Sequence, residues 1–410
     1  EELGVFLPYS PLHHELLNAL DRPIVATSGN ISGEPVITDN DDAAKRLNRV
    51  ADHFVHHDRP IARPADDPVI RPMAGQSRVI RLGRGIAPLE RELPARLKRP
   101  LLATGGHMKN AVALAWGNRV VVSPHIGDLN SPRSNDIFNQ VINNIKELYN
   151  VETQLIACDL HPGYASTRWA ERQGAPLVRV QHHAAHASAL AGEHPDVDNW
   201  LVFTWDGVGY GDDGTLWGGE ALSGRPGHWQ RAASFRTFRL VGGDKAGREP
   251  WRSAAALLWD AGAVGEAVGA ALAAKCFDFE KGIAAKAAPT AKKSSSSAID
   301  LAHQAWQQNI NTFETSAVGR LFDAAAALLL GRGIASFEAQ GPMDLEHAAI
   351  AGCEPVELPI VEDSGHLLRS DWTPLLDVLA DTNIPKGERA GIFHETMAQA
   401  RVDQLLASRK

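Results

Sequence analysis

The strongest constraint on this fold is an alternation. Between Leu101 and Asp206, short apolar runs of strand length alternate with stretches patterned as helix. The runs are Leu101–Thr104, Ala111–Trp116, Arg119–Ser123, Leu155–Asp159, Leu177–Gln181 and Leu201–Asp206. Gly117-Asn118, between the second and third, fits a two-residue hairpin turn. Ser134–Asn150 sets Ile137, Val141, Ile145 and Leu148 on one stripe, which predicts an amphipathic helix. Strands interleaved with helices bury their apolar faces in layers around a central sheet, so the expected class is α/β. The chain has 410 residues, enough for two or three domains at ~150 residues each.

The flanks divide the chain. A first domain is expected over residues 1–90, a linker over 91–100 and a second domain over 101–410. The linker lies in the Pro-rich, charged, aperiodic stretch 88–100. In the first domain Pro23–Thr27 reads as a short strand entering the turn Ser28–Pro35, whose hydroxyls and backbone N–H groups suit an anion. Asp41–Ala51 reads as a helix capped by Asp39 or Asn40. Arg59, Arg63, Arg71, Arg78, Arg81 and Arg84 follow with no lysine among them. Such arginines grip planar phosphate or carboxylate, or simply form a solvated basic face. From about residue 252 the composition turns Ala- and Leu-rich and helical. Within it Lys281–Ser297 is of low complexity and is expected to be disordered or a loose loop.

Bulk properties exclude several classes. A net charge of −8 argues against broad nucleic-acid binding. No apolar run approaches the ~20 residues a membrane-spanning helix needs. Cys158, Cys276 and Cys353 are scattered with no CxxC pair, so a reducing cytoplasm is the expected location. Glu1-Glu2-Leu3-Gly4 is no signal peptide and lacks an initiator Met, so the chain is expected to be a piece of something longer.

The sharpest motif is Gln181-His182-His183-Ala184-Ala185-His186, directly after a strand. A helix starting near His182 puts His182 and His186 on one face at i, i+4, a spacing that suits two imidazoles on one metal. His183 stands where zinc hydrolases carry Glu, so the hydrolase reading loses its base. His183 is expected to point away from the pair, since adjacent helical residues diverge by about 100°. The alternative is a polar helix start with incidental histidines. Twenty residues on, a strand ends at Asp206 and opens into Gly207-Val208-Gly209-Tyr210-Gly211-Asp212-Asp213-Gly214. Glycines there admit phosphate, and the Asp suits a metal; an ordinary acidic hairpin is the alternative. Gly242-Gly243-Asp244-Lys245, Ser316–Asp323 and Gly105–Asn110 are further candidate nucleotide loops, or plain helix caps and turns. Neither a Walker A motif nor a dinucleotide fingerprint is present.

Taken together, these stretches resemble the hydrogenase-maturation carbamoyltransferase (HypF) family over nearly the whole chain. Leu7–His14, Thr27–Pro35, Asp66-Asp67 and Arg81–Pro88 resemble the later part of its YrdC-like domain. Lys109-Asn110, His125–Leu129, Cys158–Pro162, Gln181–His186, Asp206–Glu220, Gly242–Arg252, Gly319–Asp323 and Ser336–Glu346 resemble its carbamoyl-transfer domain. The resemblance implies a partial YrdC-like α/β domain followed by an actin-like ATPase domain, similar to the threonylcarbamoyl-transferase TsaD, with a helical insertion. It implies that carbamoyl adenylate is made from ATP and carbamoyl phosphate. The carbamoyl group then passes to the C-terminal cysteine of a partner, HypE, as the source of hydrogenase cyanide ligands. His182, His186 and Asp206 would be the catalytic residues that hold a divalent metal, Zn, Fe or Mg. Ser28, Asn30 and Ser32 would lie against ATP in the first domain, and Lys109, Gly207, Gly209, Gly243, Lys245, Arg320 and Asp323 near the nucleotide in the second. No nucleic-acid or membrane partner is implied.

The chain also departs from the family. The acylphosphatase and zinc-finger segments and the first half of the YrdC-like domain are not in it, and it stops before a late metal-ligating Asp. A piece so bounded is expected to be catalytically incompetent. Pro68 stands where Ser is expected after Asp66-Asp67, and Gly341-Pro342 departs as well. A small-molecule O-carbamoyltransferase, a tRNA threonylcarbamoyl-transferase and a non-catalytic HypE-binding scaffold are the competing functions.

Overall fold

The computed structural model describes residues 3–31, 33–263 and 295–408, the side chains of 295–297 excepted. Ser32, Cys276 and most of the low-complexity stretch Lys281–Ser297 therefore lie outside the described side chains; Ser295 already belongs to a helix, Ser295–Gln307. The chain divides into two compact units, Glu1–Val180 and Gln181–Lys410. The division falls inside the stretch read as one transfer domain, because its two sheets belong to different units.

In the first unit the stretch before Leu102 is thinly packed, with only Gly83 buried among its described residues. Its helices Pro11–Leu20 and Asn40–Arg46 start at Ser10 and Asp39, whose side chains accept from the backbone N–H three residues on. The second helix ends at Arg46 rather than Ala51. Strands β1 (Val69–Met73) and β2 (Gln76–Arg81) form a hairpin. The expected strand Pro23–Thr27 is not one. Val25 is fully exposed and no described strand pairs with the segment, so nothing satisfies a ladder there.

The second half of this unit is a sheet of order β3-β6-β5-β4-β7-β8. Its strands are β3 (Leu89–Glu92), β4 (Leu101–Ala103), β5 (Ala113–Trp116), β6 (Arg119–Val122), β7 (Leu155–Asp159) and β8 (Leu177–Val180). The Gly117-Asn118 hairpin joins β5 and β6 as its sequence predicts. Leu89–Glu92, partly within the expected linker, pairs with β6. Its backbone found a ladder partner that a Pro-rich, charged composition does not announce. The helix Pro132–Tyr149 begins with a Ser131/Ser134 capping box and ends at Asn150 in the left-handed region. Its buried stripe is Phe138, Ile142 and Ile145, while Leu148 is exposed. The aromatic Phe138 packs with Leu102 and edge-on to Trp169, while Ile137 and Val141 of the expected stripe lie partly buried against the same cluster.

The second unit centres on a sheet of order β12-β13-β10-β11-β15-β14, with β9 beside β10. These are β9 (Trp200–Tyr210), β10 (Leu216–Arg225), β11 (His228–Phe235), β12 (Phe238–Val241), β13 (Thr312–Thr315), β14 (Ile360–Glu362) and β15 (Leu368–Ser370). Helices Trp251–Asp260 and Val318–Leu330 pack through Ala254–Ala256 and Ala324–Ala327, small side chains that let the backbones approach. Phe235, Phe238, Trp372 and Phe393 fill the core around them. Among the described residues no helix is long and apolar enough to cross a membrane.

Candidate metal centre

The helix His182–Glu193 starts at Gln181, whose side-chain oxygen accepts from Ala184 N–H at 2.7 Å. That cap fixes where the helix begins, and so which histidines share a face. His182 and His186 do, with their Nε2 atoms 3.2 Å apart. Strand β9 runs past this turn and delivers Asp206, whose Oδ2 lies 3.2 Å from His182 Nε2 and 4.0 Å from His186 Nε2. One donor atom from each of the three lies within 4.8 Å of the others.

β9 does not end at Asp206. It continues through Gly207-Val208-Gly209 to Tyr210, and the turn comes only at 211–215. The expected glycine loop is thus in part a paired strand. Gly209 is read differently as a result: a Cβ there would lie 2.4 Å from His183 Cε1 and 2.9 Å from His182 Cδ2. Its missing side chain lets the histidines seat on the strand. Opposite Asp206 the β9–β10 register shifts between Trp217 and Gly219, a bulge of the kind that re-aims a side chain.

The expectation for His183 is corrected. The turn of about 100° carries its ring into the interior, where it is fully buried, but not away from the site. Its Nε2 lies 3.1 Å from Asp206 Oδ1. The carboxylate stands between the two faces, one oxygen towards each. Burial pushes the Asp206 carboxyl up, and the two histidines, His182 close against Oδ2 and His183 bonded to Oδ1, more than offset it, so it sits well below the usual carboxylate range. Asp206 Oδ2 is buried without a hydrogen-bond partner of good geometry.

A second buried carboxylate supports this wall, and the sequence reading did not single it out. Glu220 is fully buried. Its Oε2 accepts from the N–H groups of Gly218 and Gly219 at 2.6 and 2.7 Å, which clamps the bulge. Its Oε1 accepts from Arg231 at 2.7 Å, Ser234 at 2.8 Å and Ser316 at 2.6 Å. The only signal in the sequence is one carboxylate inside the apolar run Leu216–Leu222.

The remaining expected residues fall into two groups. In the second unit Arg320 reaches between strand and turn: it lies 3.3 Å from the position of a Cβ on Gly207 and donates to Ala246 O at 3.1 Å. Gly243 and Lys245 belong to that same turn, Gly243–Gly247. Asp323 is buried, and Arg320 Nη1 comes within 2.9 Å of its Oδ2 at an angle that makes no hydrogen bond. Burial pushes its carboxyl up, against the pull of Arg320, to about 6. In the first unit Asn30 donates to Ile31 O and Glu34 O, closing the loop that carries an exposed Ser28. Lys109 has left-handed backbone, and its N–H donates to Asp128 at 2.9 Å.

Comparison with known proteins gives these residues a context. Residues 202–410 match the family described as carbamoyltransferase, Kae1-like domain, second subdomain. Residues 96–193 match the HypF Kae1-like domain, and residues 1–83 match the Sua5/YciO/YrdC family, described as telomere recombination. Carbamoyltransferase HypF of Synechocystis sp. is 40% identical over 398 residues, 96% of this chain and 51% of that protein. A carbamoyltransferase HypF homolog of Cupriavidus necator is 34% identical over 318 residues, 74% of this chain and 75% of that protein. The crystal structure of full-length HypF in a phosphate- and nucleotide-bound form superposes with a TM-score of 0.86 at 32% identity, covering 99% of this chain and 51% of that one. That of T. kodakarensis HypF gives 0.80 at 30% identity, covering 91% and 48%. The chain thus spans about half the length of the Synechocystis relative and of both solved structures.

Proposed function

The chain belongs to the HypF carbamoyltransferase family, and from that premise we propose that it takes part in carbamoyl transfer in NiFe-hydrogenase maturation, as a portion of the full-length enzyme. In this reading carbamate, released with phosphate from carbamoyl phosphate by hydrolysis, attacks the α-phosphate of ATP in the YrdC-like part to give carbamoyl adenylate and pyrophosphate. The Kae1-like part passes the carbamoyl group to the C-terminal cysteine thiol of HypE, releasing AMP. The resulting thiocarboxamide is the precursor of the cyanide ligands. The work is placed in the cytoplasm, with neither nucleic acid nor membrane as partner.

The observation that carries the proposal is the convergence of His182, His186 and Asp206. Two imidazoles and a carboxylate with an otherwise unsatisfied buried oxygen fit a divalent ion. The set favours Zn or Fe over Mg, which prefers oxygen ligands and retained water. When bound, such an ion supplies Lewis-acid polarisation and a fixed point for the adenylate. The chain's own residues do the rest. Arg320, anchored on Ala246 O, would offer its cation to phosphate beside the Gly207 backbone. Gly243, Lys245 and Asp323 would line the same nucleotide site. Lys109 would contribute to nucleotide binding from the first unit, and Ser28, Asn30 and Ser32 to ATP binding in the adenylating part.

The test is mass spectrometry of HypE after incubation with full-length protein, ATP and carbamoyl phosphate. One carbamoyl group on the C-terminal cysteine is expected. An unmodified HypE, or carbamoyl transfer to a small-molecule hydroxyl instead, would contradict the reading.

A further inference from the structure

We propose that Gln181 and His183 form a positioning relay that selects which oxygen of Asp206 is presented to the metal; this rests on the metal reading above. The helix cap supplies the fixed end. Gln181 Oε1 is held by Ala184 N–H at 2.7 Å, and its Nε2 donates to Tyr210 O at 3.3 Å, so backbone groups at both ends set the orientation of the amide. The same Nε2 lies 3.1 Å from His183 Nδ1. Nδ1 must therefore accept, and in the neutral ring the proton sits on Nε2. That Nε2–H donates to Asp206 Oδ1 at 3.1 Å.

The ring cannot easily do otherwise. It is fully buried, tilted against Trp217 with centroids 6.0 Å apart, and seated on Gly209, where a Cβ would come within 2.4 Å of it. Asp206 Oδ1 occupies space that the missing side chain of Gly218 leaves, 2.7 Å from where a Cβ would stand. Oδ1 is thereby committed to His183, and Oδ2 is left facing His182 and His186. His183 is a positioning residue: its Nε2 is engaged by Asp206 Oδ1, and it acts by holding the carboxylate in one rotamer. Groups that orient a metal ligand in this way commonly change metal affinity by 10- to 100-fold when removed.

The test uses Co2+ as the ion and the full chain, with affinity from chelator competition and ligand geometry from the visible d–d spectrum. His183→Phe keeps the ring volume but has no donor; it is expected to weaken Co2+ by about 10- to 100-fold and alter the spectrum. His183→Gln brings an amide N–H to the Nε2 position and is expected to restore affinity to within a few-fold and the spectrum to that of wild type. Gln181→Ala, which frees the tautomer, is expected to fall between them. Wild-type affinity and spectrum in His183→Phe, or no rescue by Gln in a protein with native circular dichroism, would overturn the relay. Loss of Co2+ in Asp206→Ala with no loss in His183→Phe would sink the relay alone. Failure of wild type to bind Co2+, or binding indifferent to Asp206→Ala, would sink the metal reading and the relay with it.

Discussion

Asp206 and Asp323 lie in the same unit and are both largely withdrawn from water, yet their carboxyls move in opposite directions. Burial pushes both up. At Asp206 two histidines, one hydrogen-bonded to Oδ1 and one close against Oδ2, reverse that effect; at Asp323 a single guanidinium at 2.9 Å without hydrogen-bond geometry does not, and the acid stays at about 6. The difference teaches that the set of partners, and not depth, decides whether a buried acid keeps its charge. The charge is kept at the residue proposed as a metal ligand.

The largest effect should come from removing that charge with its shape preserved. Asp206→Asn is expected to lower transfer to HypE at least 1,000-fold, or about 4 kcal/mol. Pyrophosphate exchange in the full-length enzyme should stay within a few-fold, since adenylation is assigned to the YrdC-like part. Equal loss in both assays would refute that division of labour.

Next is the glycine that lets His183 reach the carboxylate. Gly209→Ala puts a methyl 2.4 Å from His183 Cε1. Urea unfolding should show a loss near the upper end of the ~1–3 kcal/mol range for overpacking. Wild-type stability would mean that the ring has room the structure denies it.

The third prediction turns on pH. Asp323 is raised to about 6, above its value of ~4 in an unfolded chain, so the folded state holds the proton longer. The stability it contributes is full below pH ~4 and falls as pH rises to about 6. Asp323→Asn removes this fall: it should gain about 2 kcal/mol over wild type at pH 7 and nothing near pH 4. Asp206 has the opposite sign. Its lowered carboxyl adds stability above the unfolded value that is lost on acidification. Denaturant midpoints at the two pH values read both, and parallel curves for Asp323→Asn and wild type would break the contrast.

The smallest effect belongs to the supporting wall. Ser316→Ala removes one of the five hydrogen bonds to the Glu220 carboxylate and should cost about 1 kcal/mol with transfer unchanged. A transfer defect would show that Glu220 does more than hold the bulge.

What the sequence made legible was local. Gly117-Asn118 announced its hairpin, and the four-residue spacing of His182 and His186 followed from a helix start after a strand. Asp206 stood out as an acid closing an apolar run, although its strand goes on to Tyr210. The missed features depended on partners distant in sequence. Glu220 is understood only through Ser316, 96 residues away. The inward oxygen of Asp206 explains why His183 turns away from the exposed pair yet stays in the site. Glycines at 207 and 209 suggested a loop, whereas both lie within β9: Gly209 pairs with Trp217 and the histidine rings occupy the space it leaves, while Arg320 lies beside Gly207. The helix stripe held at Ile137, Val141 and Ile145 but missed Phe138 and Ile142, the more deeply buried pair, and Leu148 is exposed.

The most direct test of the central claim is anomalous scattering at a metal absorption edge from crystals of the metal-loaded protein. The account predicts one ion bonded to His182 Nε2, His186 Nε2 and Asp206 Oδ2, with His183 still on Oδ1. An ion held elsewhere, no ion after loading, or His183 as a direct ligand would contradict it.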